Sequence, residues 1–140
     1  MHSDYIGWLI KAIHQRVKAG ADTGLKGHGL TLSQGRVLGY LGRKGGEASQ
    51  KAIENFLSVS HPTAVGLVSR LEQGGFVRCR RDPADRRNKL VTLTEKSWQI
   101  GRDMKTVFDE QNAKMLRDFS AQEAEQLQTM LKKVLRNLEQ

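Results

Sequence analysis

The chain has 140 residues, with 23 Lys and Arg against 15 Asp and Glu and a formal net charge of +8 at pH 7. That length specifies one domain with a core that needs no disulfide or metal support, and an ordinary hydrophobic content of 38% excludes a largely disordered chain. The single cysteine, Cys79, excludes an internal disulfide or a Cys-based zinc cluster, and no apolar run nears the roughly 18 residues of a membrane span. The apolar stretch Ile6–Ile10 is too short for a signal-peptide core, so a soluble cytoplasmic protein without membrane contact is expected.

Ile6, Leu9, Ile10, Ile13 and Val17 recur at helical spacing and predict a helix over 4–19. Gly20, Gly24, Gly27 and Gly29 read as a loose connection. Thr31 with Gln34 is a capping-box pattern that opens a helix through Val37, Leu38 and Leu41, ended by Gly45–Gly46. Ser49 can cap a short helix to residue 57, and Ser60 a second over 61–73 with Pro62 in its first turn. The second helix presents Ala64, Leu67, Val68 and Leu71 to a core, and Gly74–Gly75 ends it. The period then changes: 76–80 and 90–93 read as short strands joined by a charged turn. Thr94 can cap a long helix to about residue 118, with Trp98, Gly101, Met104, Phe108, Met115 and Phe119 near one side. Ser120 and Glu123 form a second capping box, before a helix expected to bury Leu127, Met130, Leu131, Val134, Leu135 and Leu138. The fold class expected is mainly α with a small β-hairpin: a winged helix-turn-helix over 31–94, flanked by dimerisation helices in 1–30 and 95–140, all in one domain.

Charge is concentrated. Residues 94–140 hold eight basic and eight acidic side chains, so the whole excess lies before them. Within Arg78–Lys89, six basic residues face only Asp82 and Asp85. Such a patch is an electrostatic footprint for a polyanion. Two helices joined at Ser58–Val59 are the parts of a helix-turn-helix, and the second, about 20 Å long, fits a major groove. Its outer face offers His61, Pro62, Val65, Gly66, Ser69 and Arg70, with Ser60 and Thr63 beside them. His61 can donate to a base edge or phosphate, Pro62 and Val65 can touch thymine methyls, and the helix start attracts phosphate. Arginines at the hairpin tip can reach a minor groove, and Asp85 can hold Arg87 in one pose through a bidentate pair.

The segments Gly29-Leu30-Thr31 with Gln34, Pro62-Thr63, Arg70-Leu71-Glu72, Gly75-Phe76-Val77, and Asp82-Pro83, Asp85-Arg86-Arg87 and Val91-Thr92-Leu93-Thr94 resemble the MarR family of transcriptional regulators over nearly the whole chain. The resemblance implies that helix 61–73 reads DNA, that Arg87 enters the minor groove with Asp85 as its anchor, and that Arg86 and Lys89 contact backbone. It also implies that Ser49 or Gln50 touches phosphate at the start of the preceding helix. Ser58 stands where the family often has Gly, Glu54 where a small residue is frequent, and Gly66 where many members carry a base-reading side chain. The terminal apolar stripes exceed what residues 31–94 can cover, so a homodimer is expected, its recognition helices roughly 34–36 Å apart on a palindromic operator. The resemblance further implies a small aromatic or anionic effector that weakens DNA binding. Tyr5, Trp8, Trp98 and Phe108 could line its pocket or pack as core; His14 could bond an anion or face solvent.

Other chemistry finds little support. Arg78 and Arg80 could lower the Cys79 pKa and make it a redox switch; a lone cysteine beginning a wing strand is more often structural. His2, His14, His28 and His61 show no metal-ligand spacing, no nucleophile stands with a base, and no cofactor or enzymatic activity is expected. The alternative function is a winged-helix protein-interaction module without specific DNA binding, against which the basic hairpin argues.

Overall fold

The computed structural model describes residues 4–139. Helix α1 (Ile6–Gly27) precedes α2 (Leu32–Arg43), a three-residue strand β1 (Glu47–Ser49), α3 (Gln50–Leu57) and α4 (His61–Gln73). Strands β2 (Val77–Arg81) and β3 (Lys89–Leu93) follow, then α5 (Glu95–Met115) and α6 (Ala121–Leu138). The sheet is antiparallel in the order β1-β3-β2, with Ala48 opposite Val91 and Cys79 opposite the same residue from the other side. Contacts divide the chain into one unit ending at Phe108 and a second beginning at Asp109.

The first unit is built as the caps and stripes foretell. Thr31 and Gln34 close a full capping box on α2, satisfying two N–H groups that the helix itself cannot. Leu41, Ile53, Leu71, Val37, Val68, Val77 and Val91 are fully buried. Side chains of this kind each contribute roughly 1.5–3 kcal/mol on burial, and here they tie α2, α3, α4 and the sheet together. Tyr40 stacks on Phe56 at 4.4 Å, joining α2 to α3. After α4, Gly75 takes φ +78°. The Gly75 N–H then bonds the Glu72 carbonyl and the Phe76 N–H the Leu71 carbonyl, a Schellman ending that aims the chain into β2. The Thr94 hydroxyl donates to the Gly75 carbonyl at 2.7 Å, and the Ser97 hydroxyl to the Phe76 carbonyl. Both fasten the start of α5 to this turn.

Four sequence expectations need correction. The first helix does not stop near residue 19; it runs to Gly27. A Cβ on Gly24 would lie 3.1 Å from Met104 Sδ, so this glycine serves close packing of α1 against α5 rather than a loop. The wing carries a third strand, β1, which pairs with the far edge of β3. On α5 the inward residues are Ser97, Ile100 and Met104, whereas Trp98, Phe108 and Met115, and Phe119 beyond the helix end, are exposed. Helix α6 forms with its Ser120–Glu123 capping box but buries no residue. Met130, Leu131, Leu135 and Leu138 are all exposed, Leu138 at 79%. At the other end of the chain Tyr5, Ile6, Trp8, Leu9, Ile10 and Ile13 are exposed as well. Among the described residues, no helix is long and apolar enough to cross a membrane.

Candidate nucleic-acid interface

The turn between α3 and α4 is set by three serines. Ser49 Oγ accepts the Ala52 N–H at 3.0 Å and starts α3. Ser58 ends it in the left-handed region at φ 55°, ψ 46°, the sole non-glycine residue with positive φ among those described. Ser60 Oγ accepts the Thr63 N–H and lies 2.9 Å from the Thr63 hydroxyl, capping α4. Its buried face is Ala64, Leu67, Val68 and Leu71. His61, Pro62, Thr63, Val65 and Arg70 are exposed on the other side, with Gly66 half-buried among them. A methyl group on Gly66 would meet nothing within 4 Å, so packing does not require glycine there.

Ser49 is half-buried, but Gln50 is buried at 7%. Gln50 is the first residue of α3, directly after the Ser49 cap. Sequence reading also missed Ser33 and Arg36 of α2. With Pro62, Thr63, Gly66 and Arg70 they line an open groove of about 320 Å³ along α4. Their signal was present: i and i+3 on the side of α2 away from Val37, Leu38 and Leu41.

The hairpin between β2 and β3 is braced from within. Asp82 Oδ1 accepts the Ala84 N–H at 2.9 Å, the Asn88 N–H reaches the Asp85 carbonyl, and Arg81 Nη1 donates to the Arg86 carbonyl. Asp85 holds Arg87 by three bonds: Oδ1 accepts from the Arg87 backbone N–H at 3.1 Å and Nε at 3.2 Å, and Oδ2 from Nη2 at 3.4 Å. The side-chain and backbone hydrogen bonds from Arg87 keep the Asp85 carboxyl below its ordinary pKa. The Arg87 side chain nevertheless remains 92% exposed. A cation is thus oriented without being covered, which lowers the ordering cost of engaging a groove. Arg86 is exposed and Lys89 half-buried on the same hairpin. At its root, Glu47 accepts from the Thr92 hydroxyl at 2.6 Å and from Arg80 Nη2 at 3.1 Å, and these contacts hold its carboxyl below the usual range.

Glu54 occupies the inner face of α3, its side chain only 8% exposed. Its Oε2 lies 2.9 Å from Nδ1 of His61, the first residue of α4, whose side chain is 67% exposed. Sequence reading singled out both residues without joining them, because the contact depends on the turn between the helices.

The five residues considered for an effector pocket are not brought together around either groove described here. Tyr5, Trp8, His14, Trp98 and Phe108 are exposed; Lys11 lies over the Trp8 ring at 5.4 Å, and Trp98 packs beside Gly46. The second groove, at the root of the wing, is lined by Glu72, Gly75, Val77, Arg78 and Thr94–Lys96. The expectation that flanking arginines lower the Cys79 pKa is overturned: burial pushes its thiol up to about 11, outweighing the opposing charge of Lys89. No group of three His, Cys, Asp or Glu residues suited to a metal ion occurs among the described residues.

A sequence model of the MarR family matches residues 28–88. Over 97 residues, 69% of this chain, the sequence is 38% identical to the uncharacterized HTH-type transcriptional regulator YwoH of Bacillus subtilis, of whose length the match spans 64%. The S. aureus MepR–DNA complex is similar at a TM-score of 0.76 and 28% identity, covering 95% of this chain and 98% of that one. A probable transcriptional regulator from Pseudomonas aeruginosa matches at a TM-score of 0.73 and 29% identity, covering 96% and 99%.

Proposed function

We propose that the chain is a member of the MarR family, whose sequence model matches residues 28–88, and that it is a sequence-specific transcriptional regulator of double-stranded DNA, acting as a homodimeric repressor on a palindromic operator. The observation that carries this reading is Arg87, clamped by Asp85 and 92% exposed at the tip of a basic wing. A narrow minor groove, with its enhanced negative potential, is the surface such an arginine fits. Helix α4 enters the adjacent major groove in this reading, with His61, Pro62, Thr63, Val65, Gly66 and Arg70 toward base edges and backbone. Arg86, Lys89, Arg36 and the α3 start at Ser49 take phosphates, and residues 31–94 form the DNA-reading part. The structure of a MepR–DNA complex is the comparison that supports DNA as the partner.

The exposed apolar residues at the start of α1 and along α6 supply the case for a dimer built from 1–30 and 95–140. Contiguous exposed apolar surface on a protein in water marks an interaction site, and a second copy gives the closed twofold partner that a palindrome requires. Release by a small aromatic or anionic effector completes the repressor reading; such a molecule must bind the DNA-free state more tightly than the DNA-bound state. Tyr5, Trp8, His14, Trp98 and Phe108 remain the residues to test for that role. The reading needs no catalytic group or resident cofactor.

Fluorescence anisotropy with a duplex from upstream of the gene, against a scrambled duplex, tests the proposal. Preference for the native duplex is expected, with the log–log salt slope growing by about 0.9 in magnitude for each phosphate contact. Equal binding to both duplexes would reduce the wing to a nonspecific basic surface.

A further inference from the structure

We propose that Glu54 fixes which ring nitrogen of His61 faces DNA and so makes His61 a hydrogen-bond acceptor that takes the exocyclic amine of an adenine or cytosine at one position of each half-site. The inference rests on the DNA-binding reading above and deepens it by assigning a specificity-determining pair.

The argument begins with what each atom can do. An ionised carboxylate only accepts hydrogen bonds. Glu54 is buried on the inner face of α3, where a polar group requires a hydrogen-bond partner, and its Oε2 is 2.9 Å from His61 Nδ1. Nδ1 therefore carries the proton. In a neutral imidazole the other nitrogen then has a lone pair, because the bond made by one ring nitrogen sets the role of the other. His61 is the first residue of α4 and two-thirds exposed, so the edge bearing Nε2 is the edge left open. The exocyclic amines of adenine and cytosine are the base donors in a major groove, whereas guanine N7 and O6 and thymine O4 are acceptors that a lone pair repels. Glu54 is thus a positioning residue, and His61 the group that touches the base. Gly66, which contributes no side chain on the same face, leaves more of the reading to this end of the helix.

Two measurements test the pair. Nitrogen-15 NMR of the full-length protein at pH 7.5, with His61 assigned by its loss in His61→Ala, is expected to show a protonated Nδ1 and a bare Nε2. Glu54→Ala is expected to move the proton toward Nε2, and Glu54→Gln, whose carbonyl oxygen can still accept, to restore the wild-type pattern. A wild-type ring protonated at Nε2, alone or with Nδ1, overturns the proposal. Selection from a randomised duplex library is expected to enrich one base pair, read through the amine of its adenine or cytosine, at one position per half-site by roughly 5-fold or more. His61→Ala and Glu54→Ala should lose that preference and keep the others, while Glu54→Gln should retain it. A preference at that position that survives in Glu54→Ala, or that is unchanged when the amine of the favoured adenine or cytosine is removed (purine or pyrimidin-2-one in its place), overturns it. A library from which the wild type enriches nothing overturns the DNA-regulator reading and the base preference with it, while the spectrum still decides the ring-nitrogen assignment.

Discussion

Gly46→Ala strikes the joint that seats both the wing and α5. Gly46 follows the end of α2, where its N–H bonds the Leu41 carbonyl at 2.8 Å, and its own carbonyl accepts the Leu93 N–H at 2.8 Å. It holds φ +102°, and a Cβ there would lie 2.7 Å from Trp98 Cζ2. Two costs follow. A side chain at that φ is strained by about 1–3 kcal/mol, and the indole ring, which is partly exposed, must also move aside. Gly45→Ala is the matched control, with φ +78° but open space around its Cβ, so it carries only the left-handed cost of about 1–2 kcal/mol. Urea unfolding at fixed protein concentration, since dimerisation couples to stability, should therefore show Gly46→Ala the more destabilised. In a Trp98→Ala background the excess should vanish. Equal losses for the two alanine variants would refute the account of how Trp98 packs.

The remaining predictions concern the turn, the thiol, the sheet and the terminal helices. Ser58→Gly relieves a left-handed residue at about 1 kcal/mol, partly offset by the freedom glycine gains in the unfolded chain, for a net gain of up to ~1 kcal/mol in thermal or urea melts; Ser58→Val should instead destabilise. Cys79, with its thiol pushed up to about 11 by burial, should react with iodoacetamide at neutral pH more slowly than a free cysteine, by roughly tenfold or more, since the thiolate is the nucleophile; a fast reaction would revive the redox switch. The Glu47 carboxyl sits below its ordinary value because of Thr92 first and Arg80 second. Its contribution is therefore full above the unfolded-state value of about 4.3 and is lost as pH falls toward the folded one. The stability gap between wild type and Glu47→Gln should shrink below about pH 4. Sedimentation velocity should give a species near twice 15.7 kDa, and Leu135→Asp on α6 should shift it toward monomer.

Much of the architecture was legible because local chemistry and burial agree. Thr31–Gln34, Ser49, Ser60 and Ser120–Glu123 are caps that state where helices begin, and the Ala64–Leu71 stripe names the buried face of α4. What escaped depends on neighbours distant in sequence. Strand β1 has three residues and one apolar side chain, so its identity comes from pairing Glu47 with Thr92 and Ala48 with Val91. Gly24 resembles a loop residue until Met104 is placed against it. Gln50 and Glu54 are polar in composition but occupy the inward positions of α3, four residues apart. The apolar spacing of α6 was correctly read as helical, yet spacing could not say that its face would be left open within the chain. On the wing, Asp85 and Arg87 are two residues apart, close enough for the clamp to be read directly.

The most direct test of the central claim is the binding of Arg87→Ala and Asp85→Ala to the native and scrambled duplexes across a salt series. Arg87 is exposed, so circular dichroism should be unchanged while Arg87→Ala loses affinity and most of the preference for the native duplex. Asp85→Ala, which frees the same guanidinium, should fall between it and wild type. Full preference retained by Arg87→Ala would contradict the account.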